Sequence, residues 1–309
     1  MNFCFGIILV NYNNAHDTID CIDSLVNSSY KKLKIFIVDN STNDESINQI
    51  KKHLIKKSME FSEDLKKIES KVLLARSQNN GFAAANNIIL KDNNRAIDFY
   101  WILNNDTSIP KNFLQKLNEK LVDEKEAIYS KIYSNAILYF DTNTIQAIGG
   151  TINYFTGTPK HNYNNEEYLS SKEYNRKSDY PVGASIIIHK TVMNKIGLMC
   201  EDYFLYFEEV DWMQKAKSKN ISLKIFTDIH IYHKEGKSTG GNTSDKAFYY
   251  FTRNRFYFSN KTHKNILVKI LSLGYIFLIS TLSSIKHKKT KIYFKIIKEF
   301  YNAPASKSI

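Results

Sequence analysis

The chain has 309 residues, of which 43% are hydrophobic, and a formal net charge of +12 from 43 basic and 31 acidic residues. This composition excludes a disordered chain, and the length accommodates one large α/β domain with an appendage. The positive charge predicts anionic partners, which include nucleotides, phosphorylated lipids, membrane surfaces and nucleic acid. Three cysteines without paired spacing, Cys4, Cys21 and Cys200, favour a reducing compartment and no structural zinc.

The first third of the chain alternates apolar runs with helical spacing. The predicted order is strand 3–10, helix 18–27, strand 33–40, helix 47–68, strand 72–75, helix 82–90 and strand 99–106. The first run is too short for a targeting signal, and the long helix is either continuous or broken near Ser58. Such alternation predicts a mostly parallel, doubly wound α/β sheet flanked by helices, with a ligand site beyond the carboxyl ends of the strands.

Polar side chains follow three of these predicted strands. They are Asn11 and Asn13, Asp39 and Asn40, and Asn104 and Asp106. Each alone is typical of a turn or a helix cap. Because parallel strands end at the same edge of a sheet, the six together predict a ligand site.

Three later segments leave alternatives open. Residues 161–180 are polar without periodicity and predict a mobile loop, either a closing loop or an inert insertion. Arg253 and Arg255 stand between aromatic residues, where they either bind phosphate or lie on a solvated helix. The acids of residues 199–211 stand among aromatic residues and cap a helix, bind a cation or act as acid and base.

The C-terminal segment changes character after Lys261. Residues 266–285 are mostly apolar and long enough to span a membrane, but Lys269 and several serines make them a poor spanning helix. The lysine-rich stretch 286–298 predicts a basic amphipathic helix that binds an anionic membrane surface. We expect peripheral attachment, and no nucleic-acid partner because no recognition motif for it is present.

Seven motifs in order resemble glycosyltransferase family 2, in particular its bacterial rhamnosyltransferase-like members. They are VNYNN (10–14), IVDNSTNDES (37–46), NNGFAAANN (79–87), WILNNDTSIP (101–110), VGASIIIHK (182–190), FLYFEEVDW (204–212) and IYHKEGKST (231–239). The resemblance covers about residues 3–260. It implies a GT-A fold, a nucleoside-diphosphate sugar of UDP or dTDP type, Mn²⁺ or Mg²⁺, and inversion at the anomeric carbon.

The resemblance also assigns expected roles to residues. We expect the nucleotide sugar to contact Asn11, Asn13, Asp39, Asn80, Gly81, Asn104 and Arg253. NND at 104–106 takes the place of the family's DxD motif, so Asp106 is the expected metal ligand, with His233 completing the site. Asn104 removes one negative charge from that motif. Glu209 is the expected general base, with Asp211 as the alternative.

The expected protein is an inverting glycosyltransferase with a catalytic domain at 1–262 and a membrane-associated helical tail at 263–309. Its acceptor is expected to be a hydroxyl of a lipid-linked glycan in bacterial surface polysaccharide synthesis. We expect it in the cytoplasm, at the inner face of the membrane. The alternatives are a nucleotidyltransferase on a similar sheet and a non-catalytic basic protein that binds membrane or nucleic acid.

Overall fold

The computed structural model describes residues 1–64, 70–92, 96–234 and 244–302. The predicted helical positions Leu65 and Ile68, residues 235–239 of the histidine motif and the last residues of the tail lie outside the described residues.

Strands and helices alternate through residues 1–130, and the last three described elements are helices. The strands are β1 (Phe5–Asn11), β2 (Leu33–Asp39), β3 (Phe61–Ser62), β4 (Val72–Arg76), β5 (Phe99–Asn104), β6 (Thr107–Ser108), β7 (Lys131–Tyr139), β8 (Ile145–Ala147), β9 (Gly150–Asn153), β10 (Thr158–His161), β11 (Ser185–His189) and β12 (Ser222–His233). The helices are α1 (Ala15–Val26), α2 (Glu45–Lys56), α3 (Phe82–Leu90), α4 (Phe113–Asp123), α5 (Lys190–Ile196), α6 (Glu208–Lys217), α7 (Asp245–Thr262), α8 (Ile266–Lys286) and α9 (Thr290–Asn302).

The predicted mostly parallel sheet is confirmed. Its strand order is β3-β4-β2-β1-β5-β11-β7-β12-β6, with β8 beside β7. Strand β1 pairs in parallel with β2 and β5, whereas β11 runs antiparallel between β5 and β7. In this register Asn11 lies opposite Asp39, and Val10 lies opposite Asn104, so the polar strand ends meet at one edge.

Both faces of the sheet are covered, which explains why its central strands read as continuous apolar runs. In β1, Phe5, Ile7 and Leu9 pack into one core, and Ile8 packs into the core on the opposite face. Because successive strand residues point to opposite faces, a strand that is buried on both sides needs apolar residues at every position.

The prediction that helical structure continues through Phe61 is wrong. Helix α2 ends at Lys56, and Ser58 takes a positive φ of 52° that stops it. Phe61 and Ser62 then form β3, which pairs in parallel with Val72 and Leu73 of β4. Helical spacing of apolar residues was a local signal, and pairing with the next strand along the chain overrode it.

The prediction of a mobile loop at 161–180 is also wrong, because this segment is packed against the sheet. Tyr163, Tyr168 and Tyr174 are buried in one cluster with residues of β7 and β8. The Tyr168 hydroxyl donates to the Thr227 carbonyl at 2.9 Å. Tyrosine side chains at irregular spacing therefore supply the apolar contacts that a periodicity search does not detect.

The C-terminal helices pack on α7 through one small apolar cluster. Its buried members are Phe256, Ile276, Tyr293 and Ile296. Within the described residues, α8 is the one helix whose length and mean hydropathy of 2.0 would allow a membrane crossing, and only 17% of its apolar window is buried. Length and composition alone do not distinguish a spanning helix from one that lies on a surface.

Gly81 lets the start of α3 approach the segment before α6. Its φ is +100°, and a Cβ at this position would lie 2.4 Å from the Phe204 carbonyl oxygen. The Phe82 amide donates to that same oxygen at 2.8 Å. The close approach and the backbone conformation both require glycine.

We therefore expect Gly81→Ala to lower the free energy of unfolding by about 1–3 kcal/mol, the usual effect of a strained backbone position. Gly274→Ala is the matched control, because a Cβ there meets nothing within 4 Å in the interior of α8. That control should stabilise the chain by up to about 1 kcal/mol. Urea unfolding of both variants measures the difference, and equal stabilities would contradict the packing of Gly81 on Phe204.

Candidate active site

A cleft of about 920 Å³ opens at the carboxyl ends of β1 and β5. Its walls come from the β5 end, the acidic segment before and within α6, one side of α7 and part of α8. Within the described residues, four buried side-chain atoms lack a hydrogen-bond partner, and three of them belong to residues that line this cleft: Asn40, Tyr180 and Glu208. Because buried polar atoms are nearly always paired, this concentration marks a ligand site.

Asp106 and His233 come together in the cleft as predicted. Asp106 Oδ1 lies 3.0 Å from His233 Nε2, and Asn104 Nδ2 lies 3.1 Å from the same nitrogen. On the other side of the ring, Nδ1 lies 2.7 Å from Gln146 Oε1, so it carries the hydrogen and donates. Nε2 then accepts from the Asn104 amide and faces the Asp106 carboxylate. The sequence analysis did not identify Gln146.

This arrangement fits a hard divalent cation. Neighbouring ligands of an octahedral ion with bonds of about 2.1 Å lie about 3 Å apart, which matches the Asp106–His233 separation of 3.0 Å. The hydrogen bond from Nδ1 to Gln146 has the form of the outer contact that orients a ligating histidine. Asn104 supplies an amide in place of a carboxylate, so the described pair carries a single negative charge.

A separate acidic group on α1 holds the end of β12 in place. His16, Asp17 and Asp20 lie close enough together to share a metal ion. However, the Lys234 ammonium lies 2.7 Å from both Asp17 Oδ1 and Asp20 Oδ2. The Lys234 amide also donates to the Asp106 carbonyl at 3.0 Å, so these ion pairs fix the strand end next to His233.

Asp39 lies at the end of β2 as predicted, and its side chain is fully buried and hydrogen-bonded. Its carboxylate accepts from Asn11 Nδ2 and Ser41 Oγ, and it pairs with the Arg76 guanidinium at 2.5 Å. The Asn11 amide nitrogen also contacts Ser46 Oγ at 2.8 Å. Asn11 therefore positions Asp39 and does not line the cleft. The sequence analysis did not identify Arg76, whose side chain is partly exposed beside this carboxylate.

Of the remaining residues predicted to contact the nucleotide sugar, some line the cleft and others do not. Asn13 is exposed on a turn with a φ of 52°, and its backbone N–H donates to Ser41 Oγ at 2.8 Å. Asn80 is exposed, and its neighbour Asn79 lines the cleft instead. Gly81 also lines the cleft, but the first helical amide after it is used by the Phe204 carbonyl. Gly81 therefore lies at the cleft, while the Phe82 amide that follows it makes a packing contact.

Glu208 and Glu209 both line the cleft at the start of α6. Glu208 is buried, and its Oε2 has no partner in the part of the chain that the structure describes. Burial and the neighbouring Glu209 charge raise the pKa of Glu208 well above its ordinary value. Burial raises the pKa of Glu209 to about 7. A carboxyl with this pKa can exchange a proton with a bound hydroxyl near neutral pH.

Asp211, the alternative base, is paired with a lysine of α7. Its carboxylate lies 2.8 Å from the Lys261 ammonium and accepts from the Tyr203 hydroxyl at 3.3 Å. Asp211 is buried and does not line the cleft. In this structure Asp211 ties α6 to α7, whereas Glu209 faces the cleft.

A strained turn directs the two glutamates into the cleft. Phe204, Tyr206 and Phe207 have φ values of 62°, 70° and 75°, a left-handed conformation that bulky residues rarely adopt. The buried Asn254 amide nitrogen of α7 lies within 2.7–2.9 Å of the carbonyl oxygens of Tyr203, Leu205 and Tyr206. No local sequence signal identified Asn254, because its contacts are 48 to 51 positions away.

The structure reverses the expectation for the two arginines of α7. Arg253 donates to the Asp202 carbonyl at 2.9 Å and to Asn254 Oδ1 at 2.7 Å, and it does not line the cleft. Its predicted contact with the nucleotide sugar is therefore not supported. Arg255 lines the cleft instead.

Tyr180 is a cleft residue that the sequence analysis missed. Its ring packs on Gly150, and its buried hydroxyl has no hydrogen-bond partner among the described residues. Burial, and then the nearby Glu209 charge, raise the pKa of this hydroxyl. A neutral phenol beside Glu209 can donate a hydrogen bond to a bound sugar oxygen.

Comparison with known proteins agrees with this geometry. The family model described as Glycosyl transferase family 2 matches residues 6–212. The dTDP-rhamnosyl transferase RfbF of Shigella flexneri is 21% identical over 304 residues, which cover 95% of this chain and 92% of RfbF. The low-salt glycan biosynthesis hexosyltransferase Agl10 of Haloferax volcanii is 28% identical over 103 residues, which cover 33% of this chain and 34% of Agl10.

Solved structures share the fold. GalNAc-T7, crystallised with UDP, GalNAc and Mn²⁺, superposes with a TM-score of 0.60 at 14% identity, covering 98% of this chain and 58% of that one. Residues 1–349 of TarS from S. aureus give a TM-score of 0.53 at 14% identity, with 99% and 82% covered. The mannosyltransferase PcManGT of Pyrobaculum calidifontis, with GDP-Man and Mn²⁺, gives 0.55 at 12% identity, with 93% and 74% covered. The GT-A fold expected from the sequence motifs is confirmed.

Proposed function

The chain belongs to glycosyl transferase family 2, and from that premise we propose that it transfers a hexose from a nucleoside-diphosphate donor of UDP or dTDP type to an acceptor hydroxyl. The proposal includes inversion at the anomeric carbon. Similarity over most of its length to a dTDP-rhamnosyl transferase supports rhamnose as one donor sugar to test. Family membership does not favour the nucleotidyltransferase or the non-catalytic binding protein.

The observation that carries this proposal is the position of Glu209. The Glu209 carboxyl faces the cleft beside Gly183, and a Cβ added at Gly183 would lie 4.0 Å from Glu209 Cδ. The Glu209 pKa of about 7 suits proton removal. We propose that Glu209 accepts the proton of the acceptor hydroxyl while that oxygen attacks the anomeric carbon. Glu208, held beside it and protonated by burial, keeps a second negative charge away from the attacking oxygen.

The residues that would hold Mn²⁺ or Mg²⁺ are Asp106 and His233. When bound, such an ion would neutralise charge on the nucleoside-diphosphate leaving group. Asn104 and Gln146 keep the imidazole in one orientation and tautomer. On the nucleotide side, the partly exposed Arg76, held in place by the buried Asp39, is the side chain that we propose lies next to the base and ribose.

We propose that the tail at 263–309 holds the catalytic unit at 1–262 on the inner face of the membrane, where a lipid-linked glycan of a surface polysaccharide would be the acceptor. Support comes from the exposed apolar residues of α8 and from the amphipathic α9 with its lysines. An amphipathic helix with a basic face binds anionic lipid headgroups.

Replacing Glu209 tests the base directly. We expect Glu209→Gln to bind nucleotide normally and to lose turnover by about 100- to 10,000-fold, the usual contribution of a general base. The measurement is a screen of UDP and dTDP sugars with Mn²⁺, using thermal shift for binding and release of nucleotide for turnover. Asp211→Asn is the control: it should lower stability because Lys261 loses its partner, but keep turnover per folded molecule. The opposite result would make Asp211 the base.

The pH dependence follows from the same group. Glu209 must be deprotonated to accept a proton, and its pKa is about 7 in the folded chain. The wild-type turnover rate should therefore rise as pH increases through about 7 and level off above it, while the residual rate of Glu209→Gln should not follow this curve. A wild-type rate that is constant from pH 5.5 to 8.5 would contradict the assignment.

The metal site predicts a change in Mn²⁺ requirement. His233→Ala should increase the Mn²⁺ concentration that gives half-maximal turnover by about tenfold or more, because one ligand is lost, while nucleotide affinity at saturating Mn²⁺ changes little. Asp106→Ala should lose most of its activity at any Mn²⁺ concentration. His230→Ala is the control, since His230 lies on the same strand but does not line the cleft. An unchanged Mn²⁺ titration of His233→Ala would remove His233 from the site.

Membrane attachment predicts salt-sensitive sedimentation with vesicles. The full chain should sediment with phosphatidylglycerol vesicles at low salt and be released substantially at 1 M salt, where the Debye length falls to about 3 Å. Resistance to both salt and alkaline extraction would instead identify α8 as a spanning helix.

A further inference from the structure

Two cations line the cleft next to the turn between β9 and β10 without an ion-pair partner in the described residues. Arg255 donates from Nε to the Thr156 carbonyl at 2.6 Å and from Nη2 to Thr158 Oγ1 at 2.7 Å. Neither partner is charged, and burial lowers the pKa of Arg255 to about 10. Lys160 lies two residues beyond Thr158 on the same face of β10 and also lines the cleft. A desolvated guanidinium without a counter-charge indicates an anionic ligand.

These cations lie on the acceptor side of the cleft. Lys160 pairs with Thr151 across the β9–β10 hairpin, one position from Gly150. The Tyr180 ring packs on Gly150, and the Tyr180 hydroxyl is close enough to Glu209 to be affected by its charge. The Tyr180 ring thus lies between the hairpin that carries Lys160 and the proposed general base Glu209. Asp39, Arg76 and Asp106 lie instead at the ends of the parallel strands.

The same turn rests on the apolar helix α8. Ser272 Oγ donates to the Phe155 carbonyl at 2.5 Å, and the Phe155 and Tyr275 rings lie 6.0 Å apart. Both rings are partly exposed. They adjoin a stripe of exposed apolar residues on one face of α8: Leu271, Tyr275, Leu278 and Leu282. A cationic pocket therefore meets an exposed apolar surface at this turn.

We propose that Arg255 and Lys160 bind the phosphate of a lipid-linked acceptor whose hydrocarbon chain lies along the Leu271–Leu282 stripe of α8. The proposal rests on the glycosyltransferase function proposed above. It commits to a lipid phosphate because only an anion with an apolar substituent matches both surfaces. The guanidinium can hold two phosphate oxygens at once, whereas the lysine acts as a point charge.

The test measures binding of three probes to the full chain by calorimetry without donor. The probes are farnesyl diphosphate, which is anionic and apolar, inorganic pyrophosphate, which is anionic only, and methyl glucuronide, which carries a sugar carboxylate. We expect wild type to bind farnesyl diphosphate at least tenfold more tightly than pyrophosphate. Arg255→Gln should weaken that binding by about 10- to 100-fold, because charge-assisted hydrogen bonds are lost. Leu278→Gln should remove the advantage of farnesyl diphosphate over pyrophosphate.

Lys56→Gln is the matched control, since it removes the same charge from an exposed position of α2 outside the cleft. Equal weakening by Lys56→Gln and Arg255→Gln, or unchanged binding in Arg255→Gln, would overturn the proposal. Preference for methyl glucuronide over farnesyl diphosphate would overturn it in favour of an acidic sugar. Binding of UDP or dTDP with Mn²⁺ is measured separately on each variant and should be unchanged in Arg255→Gln. Failure of the wild type to bind any nucleotide would refute the catalytic proposal without changing the probe result.

Discussion

One buried side chain of α7, that of Asn254, holds the turn that directs Glu208 and Glu209 into the cleft. The Asn254 amide contacts the carbonyls of Tyr203, Leu205 and Tyr206 in the turn before α6, and that turn contains three residues with positive φ. Such a conformation costs about 1–3 kcal/mol per residue and persists only where other contacts enforce it. The direction of Glu208 and Glu209, the contact of Gly81 with Phe204, and the seating of α7 all depend on this link.

Two side chains that line the cleft, Glu208 and Arg255, have no charged partner in the described residues. Outside the cleft, Asp211 pairs with Lys261. Inside it, Glu208 is buried without a hydrogen-bond partner for Oε2, and Arg255 is bonded to neutral groups only within the described residues. Buried unpaired polar groups are unfavourable in the free protein, so they indicate that the missing partners belong to ligands. Acids and bases held apart in this way suit a reaction that needs both a proton acceptor and bound anions.

Asn104 stands where the family motif has an acid, so less negative charge is available beside the Asp106–His233 pair. The amide keeps the imidazole oriented but adds no charge, so the electrostatic attraction for a divalent ion rests on Asp106. A histidine ligand favours Mn²⁺ over Mg²⁺, because imidazole binds the softer ion better. The diphosphate of a donor would then supply the remaining negative charge, which makes metal and donor binding interdependent.

Local patterns were enough to predict the α/β sheet, the edge where its polar strand ends meet, and the family, because continuous apolar runs and ordered motifs are local properties of the chain. The sequence also selected Asp106, His233 and Glu209, whose motif positions reach the cleft. Only the tertiary structure decided that Asp211 faces Lys261, that Arg255 and not Arg253 reaches the cleft, and that residues 161–180 are packed. The reason is that a side chain's partner is set by packing between distant segments, whereas periodicity reports only which face of its own element a residue occupies.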